Sequence, residues 1–359
     1  LKPAAALARA AHAVWRSKGP ASTLLLPLAW ITGRVVAAKR RRYRRNPESA
    51  TGSPHPVIIV GNLYVGGTGK TPVVLALIDA LRARGWHPGV VSRGYGGRAQ
   101  DEPLVGLGRL QAERYGDEPA LIAAAGRVPV AVHPRRALAL QALQARHPEV
   151  DLIIADDGLQ HLALARDVEI VVQDARGLGN SRLLPAGPLR EPASRLAEVD
   201  YIVTNLATGE ATPAGPATPA RQVVMRLAPG RMLHLASGRE LDWGAWRQEY
   251  RSARAGALAG IGQPRRFFGM LQAHGLSLAQ TRAMPDHAQY TRSPFGYFDT
   301  DVVLITAKDA VKCGAWADDR VWVVEAATRF TPPGWFDELH ARLTALAAQK
   351  AAAPGAAAR

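Results

Sequence analysis

Short apolar runs closed by glycine or aspartate alternate along this chain with longer stretches whose apolar positions recur every three or four residues. Val57-Ile58-Ile59-Val60-Gly61 is apolar on both faces and predicts a buried strand. From Pro72 to about Arg84, Val73, Val74, Leu77, Ile78 and Leu81 share one side of a helix. The alternation continues with strands at 90–92, 128–132, 151–155, 168–172 and 201–204 and helices at 117–125 and 134–146. That order predicts an α/β fold, a mostly parallel sheet flanked by helices, with ligands at the carboxyl ends of its strands.

A Pro/Gly/Ala/Thr-rich loop at 207–220 separates this pattern from a second one. Strands near 222–227, 255–259, 301–306 and 321–324, with helices near 264–274 and 334–348, predict a second, smaller α/β domain. Four segments result: an N-terminal segment 1–45, a nucleotide domain 46–205, a second domain 206–348 and a disordered alanine-rich tail 349–359. The length of 359 residues suits two domains. A lone cysteine, Cys313, excludes a disulfide scaffold and a multi-cysteine zinc site.

The net charge of +15 is unevenly placed. Residues 1–45 carry eleven Lys/Arg and no Asp or Glu, so the remaining residues hold only +4. Within the segment, Gly19 to Gly33 is uncharged, centred on Leu24-Leu25-Leu26-Pro27-Leu28-Ala29-Trp30-Ile31. Such a stretch is short of the ~20 apolar residues that span a bilayer. Cations bracket it: Arg16 and Lys18 before, Arg34 and Lys39-Arg40-Arg41-Arg42-Tyr43-Arg44-Arg45 after. The pattern predicts a membrane-surface helix over 15–45, held by anionic lipid. A buried helix with a solvated basic flank, a nucleic-acid-binding arm and a signal peptide are the other readings; the last lacks a clear cleavage site.

After the first strand comes Asn62-Leu63-Tyr64-Val65-Gly66-Gly67-Thr68-Gly69-Lys70-Thr71, then the helix. Strand, glycine-rich loop, Gly-Lys-Thr and helix form a phosphate-binding loop in its required context. Residues 64–71 would cradle ATP phosphates with backbone amides, Lys70 would reach the β/γ-phosphates and the Thr71 hydroxyl would meet Mg²⁺. The position six before the lysine, usually glycine, is Tyr64, so the match lies in the tail of the motif.

Phosphoryl transfer also needs a metal-binding carboxylate and a group that takes the acceptor's proton. Asp156-Asp157-Gly158 ends an apolar strand, where the two carboxylates should point to opposite sides. Asp117, in Gly116-Asp117-Glu118-Pro119, reads equally as a helix N-cap. Arg190-Glu191 reads as a surface ion pair, Asp286-His287 as a solvated loop pair and Gly260-Ile261-Gly262-Gln263-Pro264 as a packing turn.

Together these segments resemble the tetraacyldisaccharide 4′-kinase family of lipid A biosynthesis. The resemblance rests on the phosphate loop, Ser92-Arg93-Gly94-Tyr95-Gly96, Gly116-Asp117-Glu118-Pro119, Asp156-Asp157-Gly158-Leu159-Gln160-His161 and Leu184-Pro185-Ala186-Gly187-Pro188-Leu189-Arg190-Glu191. Gly260–Pro264 with Phe267-Phe268, Asp286-His287 and Lys308-Asp309-Ala310-Val311-Lys312 extend it, with Ala307 a departure where an acidic residue is expected. It implies transfer of the γ-phosphate of ATP, with Mg²⁺, to the 4′-hydroxyl of a tetraacylated glucosamine disaccharide 1-phosphate, at the cytoplasmic face of the bacterial inner membrane. It further implies that Asp117 and His287 activate the hydroxyl. Gln160 and Arg190 would bind phosphate, Asp156, Asp157 and Glu191 would join Thr71 at the metal, and Arg93 and Tyr95 would touch the acceptor. The two domains would close over ATP, with neither nucleic acid nor an obligate protein partner. The rival is a membrane-associated P-loop regulatory ATPase, whose signature lysine would stand where this chain has Val65.

Overall fold

A computed structural model describes residues 11–352 apart from 16, 98–100, 286–289, 291, 314, 315 and 317. Thirteen strands are described: β1 (Val57–Gly61), β2 (Pro88–Ser92), β3 (Leu104–Gly106), β4 (Val130–Val132), β5 (Leu152–Asp156), β6 (Val168–Asp174), β7 (Tyr201–Leu206), β8 (Arg221–His234), β9 (Glu240–Asp242), β10 (Ala255–Ala259), β11 (Leu278–Ala283), β12 (Val302–Thr306) and β13 (Val321–Thr331). They form one sheet in the order β11-β10-β12-β13-β8-β7-β6-β1-β5-β2-β4-β3, with β9 on β8. The expected α/β architecture is present, but its two halves are joined edge to edge.

The first half is parallel from β2 through β8, with β1 between β5 and β6. Successive residues of β1 serve opposite faces. Ile58 and Val60 pack with Val73, Leu77 and Leu81 of the helix Lys70–Arg82. Val57 and Ile59 pack with Leu140 and Leu143 of the helix Arg136–Arg146. The second half is parallel too, β11-β10-β12-β13, and has its own cores around Trp246, Trp322 and Phe295.

One antiparallel ribbon joins the halves. β8 pairs with β13 from Val224↔Thr331 to His234↔Trp322. Val223 and Met225 of β8 sit in the first core, Met232 in the second. The sequence reading stopped this strand at 227, before Pro229-Gly230; the structure carries it through, beside a register shift at Val324/Ala326. At Gly230 a Cβ would lie 2.9 Å from the Glu325 carbonyl, so the close approach requires glycine.

The last helix, Trp335–Ala352, lies across the expected division. Its Trp335, Leu339 and Leu343 pack in the first core, although the sequence reading placed them in the second domain. Arg84 Nε donates to Asp337 at 3.0 Å and Trp86 Nε1 bonds His340 Nδ1 at 3.0 Å. An apolar stripe shows that a helix is buried, not which core receives it. The helix also runs past 349, where the tail was expected to begin. β3, β9, β11 and the helices Trp243–Glu249 and Ala307–Cys313 are additions; β11 alternates half-buried and exposed positions at the sheet edge and carries little apolar signal.

The described part of the N-terminal segment includes the helices Pro20–Leu24 and Leu26–Arg45, with Pro27 tolerated in the first turn of the latter. Ser22 Oγ donates to the Ala186 carbonyl at 2.6 Å, and Asn180 Nδ2 donates to Ser22 Oγ at 3.1 Å. These bonds dock the segment on the 180–191 loop. No helix among the described residues is long and apolar enough to cross a membrane.

Candidate active site

The phosphate loop is bracketed by two crowded glycines, Gly61 and Gly69. A Cβ on Gly61 would lie 2.4 Å from Leu159 Cβ; one on Gly69 would lie 2.1 Å from Asn205 Nδ2, at a φ of +93°. Asn62, fully buried, shapes the turn from within: its Nδ2 donates to Tyr64 O at 2.8 Å, Gly66 O at 2.9 Å and Thr68 Oγ1 at 3.3 Å. Asn205 Nδ2 secures the far end, donating to Thr68 O at 3.1 Å. Tyr64 and Val65, the first residues of the expected cradle, already have partners. The Tyr64 ring lies 4.2 Å beneath the Arg176 guanidinium, and the Val65 amide already donates to Pro188 O at 2.9 Å. Among the described residues, none of the Gly66–Gly69 amides meets a hydrogen-bond acceptor.

Lys70 opens the helix and faces Asp157, with Nζ 3.4 Å from Oδ1. Asp157 stands just past β5 with a φ of +49°. Arg190 Nη1 reaches its two oxygens at 3.0 and 3.2 Å. Burial works against the charge on Asp157, but Lys70 and Arg190 outweigh it and hold the carboxyl below its usual range. Asp156 meets different partners, as strand alternation requires. Its Oδ2 accepts from Ser92 Oγ at 3.2 Å, while its buried Oδ1 has no hydrogen-bond partner. Burial, with the Glu118 carboxylate adding to it, pushes the Asp156 carboxyl up to about 7.

Arg190 and Glu191 are not a surface pair. Glu191 is 2% exposed and its Oε1 accepts from Gln160 Nε2 at 2.9 Å. Gln160 Oε1 accepts in turn from Arg190 at 3.3 Å. A continuous polar line thus runs Glu191–Gln160–Arg190–Asp157–Lys70. Thr71, half-buried, follows Lys70 on the same turn.

Asp117 is not the cap of its helix. Gly116, at φ +93°, holds that position, and a Cβ there would lie 2.4 Å from Tyr95 O. Asp117 instead meets the second half of the molecule, its Oδ2 3.3 Å from Lys312 Nζ, and Glu118 lies 3.3 Å from Lys308 Nζ. The Lys-Asp-Ala-Val-Lys segment is therefore a helix that aims two lysines across at two carboxylates. Its central Asp309 is fully buried and accepts from the Gly260 amide at 3.0 Å, fixing the glycine turn. Gln263, at the end of that turn, crosses to Asp174 Oδ2 at 2.9 Å and to Gly67 O at 3.3 Å. Arg93 and Tyr95 are exposed on the loop after β2. His287 lies outside the described residues.

The sequence reading missed Asn205, Asp174, Arg176, Arg136 and Gln263. Arg136 Nη2 donates to Asp157 O at 3.1 Å from the start of its helix. Asp174 and Asn205 end the parallel strands β6 and β7, so strand-end polarity was a usable signal for both. Gln263 stood inside a motif read as packing. Arg136 gave no signal.

A buried strand, a glycine loop, a Lys-Thr helix start and carboxylates on the neighbouring strand define a P-loop phosphotransferase. The comparisons with known proteins narrow this. The model of the family described as tetraacyldisaccharide-1-P 4′-kinase matches residues 21–344. The tetraacyldisaccharide 4′-kinase of Bordetella parapertussis is 54% identical over 331 residues, 92% of this chain and 95% of that protein. The enzyme of the same name from Dechloromonas aromatica is 45% identical over 318 residues, 88% of this chain and 91% of that protein. The crystal structure of LpxK from Aquifex aeolicus in complex with ATP superposes with a TM-score of 0.73 at 26% identity, covering 90% of this chain and 99% of that one. The chain belongs to the tetraacyldisaccharide 4′-kinase family.

One neighbour of the site sets a pH dependence. His161 Nε2 accepts from the Arg136 amide at 3.2 Å. Burial, then the Arg136, Lys39, Arg166 and Arg93 charges, push its ring down to about 4. The unfolded chain takes up this proton near pH ~6.5. Stability from neutral His161 is therefore complete above that pH and is lost as pH falls toward 4. His161→Gln should flatten this part of the melting-temperature profile relative to the unsubstituted protein. Identical slopes in the two proteins would contradict the assignment.

Proposed function

We propose that this chain is an ATP-dependent lipid kinase. It moves the γ-phosphate of ATP to the 4′-hydroxyl of a tetraacylated glucosamine disaccharide 1-phosphate, giving lipid IV-A. The observation that carries the reading is a family match over residues 21–344 around a phosphate loop whose Lys70 lies 3.4 Å from Asp157. The regulatory-ATPase reading has no comparable support, since Val65 stands where its signature lysine belongs.

Each group has a task in this reaction. The Gly66–Gly69 amides and Lys70 take the β- and γ-phosphates. Arg190, held by Asp157 and Gln160, adds positive charge where the transferring group passes. Asp117 would take the hydroxyl proton, in the pairing with His287 that the family resemblance implies. Arg93 and Tyr95 face the acceptor.

The residues present fit a magnesium ion. Among the described residues no three His, Cys, Asp or Glu converge as a cage, and Mg²⁺ on a nucleotide needs only one or two protein ligands beside phosphate oxygens and water. The unpartnered, buried Asp156 Oδ1 and the Thr71 hydroxyl would hold it. Asp157 and Glu191, engaged by cations and by Gln160, fit it less well. When bound, the ion neutralises charge on the β- and γ-oxygens.

The N-terminal helices bring the enzyme to the lipid. Leu24, Leu28, Trp30, Ile31 and Val35 are each more than half exposed, and Arg34 lies 5.4 Å over the Trp30 ring. Contiguous exposed apolar residues flanked by cations suit an anionic membrane surface. We place the enzyme peripherally at the cytoplasmic face of the inner membrane, with its acceptor's acyl chains left in the bilayer.

The deciding experiment is transfer of radiolabelled γ-phosphate from ATP to the purified disaccharide 1-phosphate. Lys70→Ala should lower kcat/KM by about a hundredfold or more; full turnover in that variant would refute the reading. Asp117→Ala should slow the chemical step about a hundredfold while ATP affinity changes little. Equal losses in both would reduce Asp117 to a structural partner of Lys312. Leu28→Asp combined with Ile31→Asp should weaken sedimentation with anionic vesicles about tenfold or more. Unchanged sedimentation would remove the helices from the membrane contact.

A further inference from the structure

The basic helix does not end at the membrane surface. Two side chains of its last two turns, exposed Lys39 and partly buried Arg40, reach residues beside the phosphate loop. Lys39 Nζ donates to the Gln160 carbonyl at 2.9 Å. The Arg40 guanidinium bonds Glu198, and its Nε lies 3.8 Å from Glu191 Oε2. That oxygen is buried, has no hydrogen-bond partner and faces a second guanidinium, Arg195, at 3.6 Å. Arg195 is itself held by Glu169.

Glu191 is thus a carboxylate removed from water and balanced by two arginines, one from the body of the enzyme and one from the N-terminal helix. Its other oxygen orients Gln160, and Gln160 orients Arg190 against Asp157. A buried carboxylate that loses one of two cations shifts or becomes solvated, because its charge is no longer compensated. Whatever moves Glu191 moves the groups that meet the phosphates.

We propose that Arg40 is a positioning residue for phosphoryl transfer. With Lys39 it makes the helix Leu26–Arg45 a structural part of the active site, so that seating this helix and aligning Gln160 and Arg190 are one event. Arg40 spans two carboxylates, Nε toward Glu191 and Nη2 on Glu198, which a lysine's single ammonium cannot do at once.

This inference rests on the kinase reading, and its test separates the two. Arg40→Ala, Arg40→Lys and the unsubstituted protein are assayed with acceptor dispersed in detergent micelles, where vesicle binding plays no part. For Arg40→Ala, kcat should fall about tenfold to a hundredfold, KM for ATP should stay within about twofold, and anionic-vesicle sedimentation and melting temperature should change little. Arg40→Lys should recover part of kcat. Unchanged kcat in micelles with weaker vesicle binding would overturn the proposal and make Arg40 a lipid-facing cation. A loss of kcat matched by a loss of melting temperature, with no recovery in Arg40→Lys, would also overturn it. If the unsubstituted protein transfers no phosphate, it is the kinase reading that fails.

Discussion

A single buried amide sets the shape on which the rest of the site depends. Asn62 draws the Tyr64 and Gly66 carbonyls toward itself. In a planar trans peptide the next N–H then points the other way. Val65 thereby reaches the Pro188 carbonyl, and the Gly67 amide is left without a backbone acceptor. Left-handed backbone at Gly66 and Gly69 makes this path possible. The loop is held in this shape by bonds on its inner side.

The charges around the loop follow the same logic. Lys70 and Arg190 would repel each other if gathered without an anion; Asp157 between them makes the gathering stable. Asp156, one residue earlier, is governed by burial and by the Glu118 carboxylate, which outweigh Lys70 and the Ser92 hydrogen bond. Two adjacent carboxylates thus hold opposite protonation preferences because the strand ends between them. That separation leaves Asp157 clamped between cations and Asp156 with a buried, unpartnered oxygen.

What could be read from the chain was local. The strand from Val57, the loop to Thr71 and the helix behind it are contiguous, and each residue's neighbours determine its conformation. The parallel alternation to Tyr201 was legible for the same reason. Contacts that cross the molecule were not: Lys312 with Asp117, Gln263 with Gly67, and Arg40 with Glu191 join residues far apart in sequence. Composition made the basic run uniform, whereas folding divides it. Arg40 is partly buried and meets Glu198, Arg44 meets it from the exposed side, and Arg41, Arg42 and Arg45 stay exposed. The β8–β13 ribbon hid behind Pro229-Gly230, the residues that ordinarily mark a strand's end.

The return of the final helix to the first core has a consequence for synthesis. Trp335, Leu339 and Leu343 fill the layer that also buries Val73, Leu77 and Tyr201. A ribosome delivers those residues after everything else in the sheet, so the nucleotide half waits, greasy face uncovered, while the downstream half is made and folds. Covering the helix behind the phosphate loop therefore depends on residues translated after every strand of the sheet.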